Sequence, residues 1–310
     1  MKVAVIGAGA VGSAAANALL HDGATNDIVL IDLDAARARA EAADIAHAAP
    51  FASTARVTSG NWSAMAGAGV VVLTAGVAQA PGESRLDLLA RNAAVFKSVL
   101  SHVETHAPNA ILIIATNPVD VMTAIATRLS GKPTVQVIGT GTILDTARFR
   151  SLLSDHFGIA ARSIHAYVLG EHGDSEVLAW SAARAGNVDI RHFAAQIGAP
   201  LTDAVMANID QGVRRAAYEI IAGKGYTNYG IGAGIARITR AIGRDEQAVL
   251  SVSTLAADVA GVKDVAVSVP RVVGATGVTA DLMPALDATE LAALAASATL
   301  IRDLTDAVDV

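Results

Sequence analysis

The chain contains no cysteine. Disulfide bonds, thiolate metal ligands and a cysteine nucleophile are therefore excluded, and a reducing cytoplasm is the compartment that this composition favours. Aromatic residues are also scarce, at 4% of the chain, although hydrophobic residues reach 53%. The apolar content is therefore mostly alanine, valine, leucine and isoleucine, which suit helices packed on parallel strands.

The sequence also lacks a basic surface and long apolar runs. Lysine and arginine number 23 against 29 acidic residues, and the basic residues form no run that could follow a phosphate backbone, so we expect no nucleic-acid partner. Two weakly charged stretches resemble an export signal and a membrane span, at residues 1–20 and 57–82. Glycines interrupt the first, and the apolar core of the second covers only residues 70–73, too short for a hydrocarbon layer of about 30 Å. We expect neither signal nor span.

The first half of the chain alternates short β-branched runs with longer segments of helical periodicity. Residues 84–106 are the clearest helix, with apolar residues three and four apart before Pro108. The predicted buried strands are residues 3–6, 28–31, 70–74, 111–115 and 135–138. This alternation predicts a parallel sheet with right-handed crossovers, which is an α/β fold of the doubly wound Rossmann type.

The pattern changes after residue 140. A predicted helix at 143–157 leads to a short strand at 165–169, two apolar strands and a last helix at 289–304. The two later strands are predicted at 248–252 and 265–273. With 310 residues the chain is long enough for two domains. We therefore predict a Rossmann domain over 1–140 and an α+β substrate and catalytic domain over 141–310.

Three glycines follow the first predicted strand and begin a helix. Gly7 permits a tight turn, Gly9 lets the backbone approach a pyrophosphate, and Gly12 allows close packing of helix and strand. Asp32 ends the second strand, where a carboxylate would accept both ribose hydroxyls and repel a 2′-phosphate. The pattern predicts NAD binding in preference to NADP. The alternative is that the glycines only form a turn and that Asp32 caps the next helix.

The second half must supply the chemistry. His172 lies in the sequence GEHGDS at 170–175, on a predicted loop after a strand, and histidine exchanges protons near neutral pH. Asp145 and Arg148 lie three residues apart on one helical face. The carboxylate could orient an imidazole, and the guanidinium could grip a substrate carboxylate through two hydrogen bonds. Alternatively, His172 is an ordinary surface or core residue, and the other two form a simple intrahelical salt bridge.

Taken together, six segments make the chain resemble the L-lactate and L-malate dehydrogenase family, and within it the bacterial L-lactate dehydrogenases. The similarity extends over essentially the whole length. The segments are the glycine fingerprint, TAG at 74–76, PGESRLD at 81–87, TNPVD at 116–120, LDTAR at 144–148 and GEHGDS at 170–175. Their common order along one chain makes a chance match implausible.

The resemblance implies a role for each of several residues. His172 would be the general acid–base, Asp145 its partner, and Arg148 the ligand of the substrate carboxylate. Arg85 would polarise the ketone as its loop closes and excludes water, and Asn117 would hold the substrate oxygen near the nicotinamide. The alternatives are a solvated residue at a helix start for Arg85, and a turn before a proline for Asn117.

The cofactor is expected to be NAD, with no metal. The residues expected to contact it are Gly7, Gly9, Val11, Gly12, Asp32, Thr74, Ala75, Gly76 and Asn117.

One position is expected to decide the substrate. Where malate dehydrogenases carry arginine, this chain has Gln79, so a second carboxylate in the closed site would lack a countercharge. Enclosing an unpaired charge costs several kcal/mol, which favours pyruvate over oxaloacetate. Thr227 matches the threonine beside the pyruvate methyl group, whereas Ala80 and Asn228 depart from many relatives. Malate dehydrogenase activity and a 2-hydroxyisocaproate-type specificity therefore stay open as alternatives.

The resemblance also raises regulation and assembly. Arg150 and His165 stand at the offsets where fructose 1,6-bisphosphate-activated relatives hold effector phosphates, although they could equally be a solvated arginine and a strand-end histidine. The resemblance implies a homotetramer, or a dimer that pairs into one. Two other classes are weaker. An NAD-dependent glycoside hydrolase is expected to use a metal and a cysteine, and this chain has no cysteine. A non-catalytic NAD-binding redox sensor would have no use for His172, Asp145 and Arg148.

Overall fold

A mostly parallel sheet occupies the centre of the protein. The computed structural model describes residues 1–77 and 82–308, except for the side chain of Arg85. The first six strands pair in parallel in the order β3-β2-β1-β4-β5-β6. They are β1 (Lys2–Ile6), β2 (Asp27–Ile31), β3 (Arg56–Ser59), β4 (Val70–Leu73), β5 (Ile111–Ile114) and β6 (Val137–Gly139). This is the Rossmann order and confirms the predicted fold class.

Alternate side chains of each central strand point to opposite faces, where helices cover them. Ala4 and Ile6 of β1 belong to a core shared with α3 and α4, whereas Val3 and Val5 belong to a core shared with α1 and α2. The helices of this half are α1 (Ala10–Asp22), α2 (Ala35–Ala52), α3 (Arg85–His106) and α4 (Val119–Ser130). Burial on both faces explains why these strands appear in the sequence as short, nearly continuous apolar runs.

The second half adds an antiparallel extension to the same sheet. β12 pairs with β6 through Ser253 and Gly139, and β13 and β14 follow outwards. A Cβ atom at Gly139 would lie 2.2 Å from Oγ1 of Thr123, so glycine permits the close approach of α4 at this junction. The strands are β12 (Ala248–Val259), β13 (Val262–Gly274) and β14 (Gly277–Asp281). The two halves therefore share one sheet.

The remaining elements of the second half surround this extension. The helices are α5 (Ile143–Phe157), α6 (Ile190–Gln196), α7 (Asp203–Lys224), α8 (Tyr229–Gly243) and α9 (Ala288–Asp306). The short strands are β7 (Ile164–His165), β8 (Val168–Leu169), β9 (Val177–Leu178), β10 (Arg184–Ala185) and β11 (Val188–Asp189). Three turns of 3₁₀ helix lie at Trp62–Met65, Thr134–Gln136 and Ala161–Ser163. Among the described helices, not one combines the length and the apolar character needed to cross a membrane.

Two sequence expectations about strands were wrong in detail. The strand predicted at 165–169 is two strands, because β7 pairs with β10 while β8 pairs with β9. Between them, the carbonyl of Ala166 accepts a hydrogen bond from Nε of Arg150 instead of a strand neighbour. The strand predicted from residue 135 begins at Val137, because a turn of 3₁₀ helix precedes it.

Candidate active site

The first part of the site lies between β1 and β4, where the order of the strands reverses. This position is the usual ligand crevice of the topology. Gly7 follows β1 with a φ of +101°, and its N–H donates to the carbonyl of Ile31 at 2.8 Å. A Cβ atom at Gly12 would lie 1.8 Å from the carbonyl oxygen of Gly7. Oγ1 of Thr74 donates to that same carbonyl at 2.9 Å. These contacts fix the turn that begins α1.

The N-terminus of α1 meets an oriented carboxylate. Oδ2 of Asp32 accepts the backbone N–H of Ala8 at 2.6 Å, and Oδ1 accepts that of Asp34 at 2.8 Å. Gly9 is the N-cap of α1 and has no side chain that could accept a hydrogen bond from the N–H groups in the first turn of the helix. A Cβ atom at Gly9 would meet nothing within 4 Å of the protein, so a side chain there would project into open space.

A cleft of about 350 Å³ opens beside these residues. It is lined from the expected cofactor set by Gly7, Gly9, Asp32, Thr74, Ala75 and Gly76. Trp62 and Val95 add apolar surface to it, whereas Val11 packs against the core. Free N–H groups, a backbone that a phosphate can approach and a carboxylate at the end of β2 fit a dinucleotide without a 2′-phosphate.

The second part of the site joins α5 to the loop after β8. Nδ1 of His172 lies 2.5 Å from Oδ2 of Asp145, and Nη1 of Arg148 donates to Oδ1 of the same carboxylate at 2.8 Å. Asp145 is 2% exposed, while the side chains of His172 and Arg148 retain 25% and 14% of their surface. The buried carboxylate therefore holds two side chains that both reach towards solvent.

Charge at this centre favours a protonated histidine. Burial lowers the pKa of His172, but the neighbouring Asp145, Asp120 and Glu176 outweigh it and raise the pKa to about 9. Burial also opposes ionisation of Asp145, yet the contacts with His172 and Arg148 hold the pKa of that carboxyl below its usual range. At neutral pH the pair is an imidazolium next to a carboxylate.

The loop that carries His172 is tied to elements on several sides. The backbone N–H of His172 donates to Oδ2 of Asp120 on α4 at 2.7 Å. The N–H of Glu171 donates to Oγ of Ser297 on α9 at 2.8 Å, and Nη1 of Arg214 on α7 donates to the carbonyl of Asp174 at 2.9 Å. The position of the imidazole is therefore set by three helices in addition to α5.

Sequence reasoning gave no role to two buried acids at this centre. Burial raises the pKa of Asp120 to about 6. Burial and the nearby charge of Asp145 raise the pKa of Glu176 to about 8, against the opposing pull of Arg214, His172 and Arg148. Asp120 ends the TNPVD segment at 116–120, and Glu176 directly follows the GEHGDS segment at 170–175. Nothing in the sequence shows that either acid is buried.

Other expected substrate residues have different surroundings. Asn117 follows β5 and is exposed, three residues before Asp120. Thr227 is half-buried in the segment between α7 and α8. Arg85 begins α3, although its side chain is not described, and Gln79 lies outside the described residues.

The two residues expected at an effector site lie apart from the catalytic pair. Nε of Arg150 donates to the carbonyl of Ala166 at 2.8 Å, and its guanidinium lies 4.8 Å from the centre of the Tyr167 ring. His165 is exposed at the end of β7, opposite Arg184 of β10.

Comparison with protein families covers nearly the whole chain. Residues 1–139 match the lactate/malate dehydrogenase NAD binding domain, and residues 142–309 match the lactate/malate dehydrogenase alpha/beta C-terminal domain. The chain belongs to the lactate/malate dehydrogenase family. It is therefore an oxidoreductase that uses NAD, as the cleft at β1 and β4 indicates.

Individual relatives agree with this family. The chain is 58% identical to an L-lactate dehydrogenase of Allorhizobium ampelinum, over 98% of both proteins. It is 55% identical to an L-lactate dehydrogenase of Thermus aquaticus, over 97% of both. Among solved structures, a minor L-lactate dehydrogenase from Enterococcus mundtii superimposes with a TM-score of 0.95 at 36% identity, over 100% of this chain and 98% of the other. A lactate dehydrogenase from a deep-sea metagenome library gives the same TM-score at 39% identity, over 99% and 98%.

Proposed function

We propose that this member of the lactate/malate dehydrogenase family is an NAD-dependent L-lactate dehydrogenase, which interconverts pyruvate and L-lactate. The observation that carries the proposal is the contact of His172 and Arg148 with one buried carboxylate, that of Asp145. This arrangement offers a proton and a fixed guanidinium side by side. The curated relatives of highest identity given above are L-lactate dehydrogenases over nearly their full length.

Arg148 has donors to spare for a substrate. A guanidinium has five N–H groups, and the hydrogen bond to Asp145 uses one at Nη1. Asp145 fixes the side chain from one side, which leaves an edge of in-plane N–H donors for a carboxylate in bidentate geometry. A 2-oxo acid would thus be held by its carboxylate, with its ketone directed towards the imidazole.

His172 is placed to move the proton of the reaction. Nδ1 is taken by Asp145, so Nε2 is the nitrogen that can face a substrate oxygen. Because its pKa is raised to about 9, the ring is protonated at neutral pH and donates to the oxygen of the ketone as that oxygen gains charge. Asp145 stays ionised and stabilises the imidazolium before the transfer. When bound, the nicotinamide cofactor supplies or accepts the hydride.

The charges of the described residues favour a substrate with one carboxylate. Arg214, a second cation near the pair, already donates to Asp210 through Nε at 2.5 Å and through Nη2 at 3.2 Å. The carboxyls that raise the pKa of His172 most are those of Asp145, Asp120 and Glu176. Arg214 is therefore already neutralised by Asp210, and enclosing a second substrate carboxylate without a countercharge would cost several kcal/mol. Gln79, which lies outside the described residues, adds no charge in the sequence.

The second candidate is malate dehydrogenase activity, because the matched family descriptions include both activities. Bulkier 2-oxo acids are a third candidate substrate class, which the departures Ala80 and Asn228 leave open. The test is a panel of pyruvate, oxaloacetate and 4-methyl-2-oxopentanoate, with NADH oxidation followed by absorbance and the chirality of the product determined. The highest kcat/KM on pyruvate with L-lactate as product supports the proposal. A higher value on another member of the panel rejects it.

We also propose a homotetramer that responds to fructose 1,6-bisphosphate and works in the cytoplasm, with a domain boundary at residue 140. Phe51, near the end of α2, is 91% exposed, and an apolar side chain this exposed suits a subunit contact. Arg150 on α5 donates to the carbonyl of Ala166, the residue after exposed His165, so the two side chains could meet phosphates. Light scattering and pyruvate saturation curves, each with and without the bisphosphate, test both points. A monomer and superimposable curves would reject them.

A further inference from the structure

The segment that carries Thr227 is a short turn between two helices. α7 ends at Lys224, Gly225 caps it with a φ of +87°, and α8 begins at Tyr229. The N–H groups of residues 226–228 donate no backbone hydrogen bond to a described residue. The backbone of this turn therefore contributes little to its own order, and that task falls to side chains.

The ammonium group of Lys224 contacts three side chains around this turn. Nζ donates to Oδ1 of Asn228 at 2.6 Å, and it lies 4.9 Å and 4.3 Å from the ring centres of Tyr226 and Tyr229. Because the face of an aromatic ring attracts a cation, the two tyrosines and the amide oxygen share one positive charge. These contacts join the last residue of α7 to the start of α8 and close the turn around Thr227.

Asn228 does not use its side chain in the way that its position favours. It is the N-cap of α8, where asparagine usually accepts N–H groups of the first turn, yet its side chain makes no such hydrogen bond. The residue is buried, and its amide oxygen accepts from Lys224 instead. Asn228 is also one of the two positions that depart from many relatives. The contact with Lys224 therefore takes the place of an ordinary helix cap.

The turn also meets the cofactor half of the chain. Three of its side chains line a cleft of about 610 Å³ whose other wall includes Gly9 and residues of α1 and α2. One turn into α8, a Cβ atom at Gly232 would lie 2.8 Å from the backbone carbonyl of Ala14 on α1, so the two helices are in direct contact. α8 is therefore fixed against α1, and the hydrogen bond from Lys224 to Asn228 ties the turn to that fixed helix.

We propose that Lys224 is a positioning residue for substrate selection: its ammonium group, held by Asn228 and the two tyrosine rings, keeps Thr227 in place beside the methyl group of pyruvate. The proposal rests on the proposed function and on Thr227 as the contact of that methyl group. A turn held in one position leaves little room for a longer substrate side chain, whereas a released turn can move away from it. Lys224 therefore favours pyruvate over bulkier 2-oxo acids.

Three variants test this contact. Lys224→Met removes the charge and keeps an apolar stem, Lys224→Arg keeps a cation with donors, and Asn228→Leu removes the acceptor at similar volume. The matched control is Lys97→Met, the same change at an exposed lysine of α3. Each full-length protein is examined by thermal unfolding, by NADH titration, and by kcat and KM for pyruvate and for 4-methyl-2-oxopentanoate. The methyl signal of Thr227 is recorded by NMR without substrate, and Thr227→Ser identifies it.

For Lys224→Met and Asn228→Leu we expect KM for pyruvate to rise about fivefold, the size of effect expected from one exposed ammonium contact. The kcat, the NADH affinity and the unfolding midpoint should change little. The ratio of kcat/KM for pyruvate to that for 4-methyl-2-oxopentanoate should fall about fivefold or more, and the methyl signal of Thr227 should shift or broaden. The double variant should be no worse than either single variant, because both remove the same contact. Lys224→Arg and Lys97→Met should stay within about twofold of the parent.

The proposal is overturned if Lys224→Met leaves both the substrate ratio and the methyl signal of Thr227 as they are in the parent. It is also overturned if Lys224→Met lowers the unfolding midpoint and reduces activity on both substrates equally, because that describes a merely structural residue. The NMR comparison requires no turnover, so it gives its answer even if pyruvate is not a substrate. Failure of the proposed function would appear instead in the parent protein, as the absence of pyruvate reduction.

Discussion

Replacing Asp145 by asparagine is expected to disable the proton donor while leaving the cofactor cleft intact. The rise of the His172 pKa from 6.5 to about 9 corresponds to about 3 kcal/mol in favour of the imidazolium. Asp145 contributes most of it, because its Oδ2 lies 2.5 Å from Nδ1. Without that charge, burial lowers the pKa of His172, so that a smaller share of the rings is protonated at pH 7.5.

The loss of orientation adds to the loss of protonation, since the amide group that Asp145→Asn introduces can donate to the ring and select the wrong tautomer. We therefore expect kcat/KM for pyruvate reduction at pH 7.5 to fall about 100-fold, the equivalent of about 3 kcal/mol. At pH 5.5, where the ring is protonated in both proteins, the loss should be smaller. The affinity for NADH should stay within about twofold, because Asp32 and the glycine turn are unchanged.

The assay is the initial rate of NADH oxidation between pH 5.5 and 9.5, with Asp155→Asn as control. Asp155 is exposed on the same helix, α5, and the same chemical change there should leave the profile unaltered. A loss of less than threefold at pH 7.5 with an unchanged profile would show that Asp145 does not control the protonation of His172.

Three further predictions address the cofactor cleft, the buried acid and the substrate. Gly9→Ala should keep the unfolding midpoint but weaken NADH binding about tenfold, because its Cβ meets only open space in the protein, where the cofactor is expected. Gly12→Ala should lower both the unfolding midpoint and the NADH affinity, because its Cβ would lie 1.8 Å from the carbonyl oxygen of Gly7. Fluorescence titration and thermal unfolding measure these quantities, and an NADH affinity of Gly9→Ala equal to that of the parent contradicts the prediction. Glu176→Gln should match the activity of the parent on pyruvate below pH 7 and be less active above pH 8, where only the parent gains a negative charge that favours the imidazolium. The raised pKa of Glu176 makes the folded parent less stable as pH rises from 4.5 to about 8, so denaturant titrations should show a smaller decline in stability over that window for the variant. Gln79→Arg should move the ratio of kcat/KM values towards oxaloacetate by about 100-fold or more, and an unchanged ratio in the substrate assay would refute the charge argument.

The central strands could be predicted because burial on both faces leaves a clear sequence pattern. β1, β4 and β5 are short apolar runs between helices, so the parallel core followed directly. β3 was missed because it is an edge strand with one buried residue and a polar sequence. The division of 165–169 into β7 and β8 could not be foreseen, because it depends on pairing with β10 and β9, which are close only after folding.

The site shows the same limit. Asp145 and Arg148 are helical neighbours, so their contact follows from spacing, and their chemistry together with the family resemblance pointed to His172, 27 residues further on. Asp120 and Glu176 were not recognised, since acids on helices and loops are usually solvated. Their burial comes from the packing of α4 and α7 around the loop of His172. That packing depends on residues distant in sequence, and it converts ordinary acids into groups that influence a proton donor.

Direct competition between substrates tests the central claim most simply. With pyruvate and oxaloacetate at equal concentrations and NADH limiting, the ratio of L-lactate to malate formed early in the reaction equals the ratio of the two kcat/KM values. We expect lactate in excess by about 100-fold or more, because Arg148 has donors for one carboxylate, Arg214 is already paired with Asp210, and Gln79 adds no charge. Malate in equal or greater amount would contradict it.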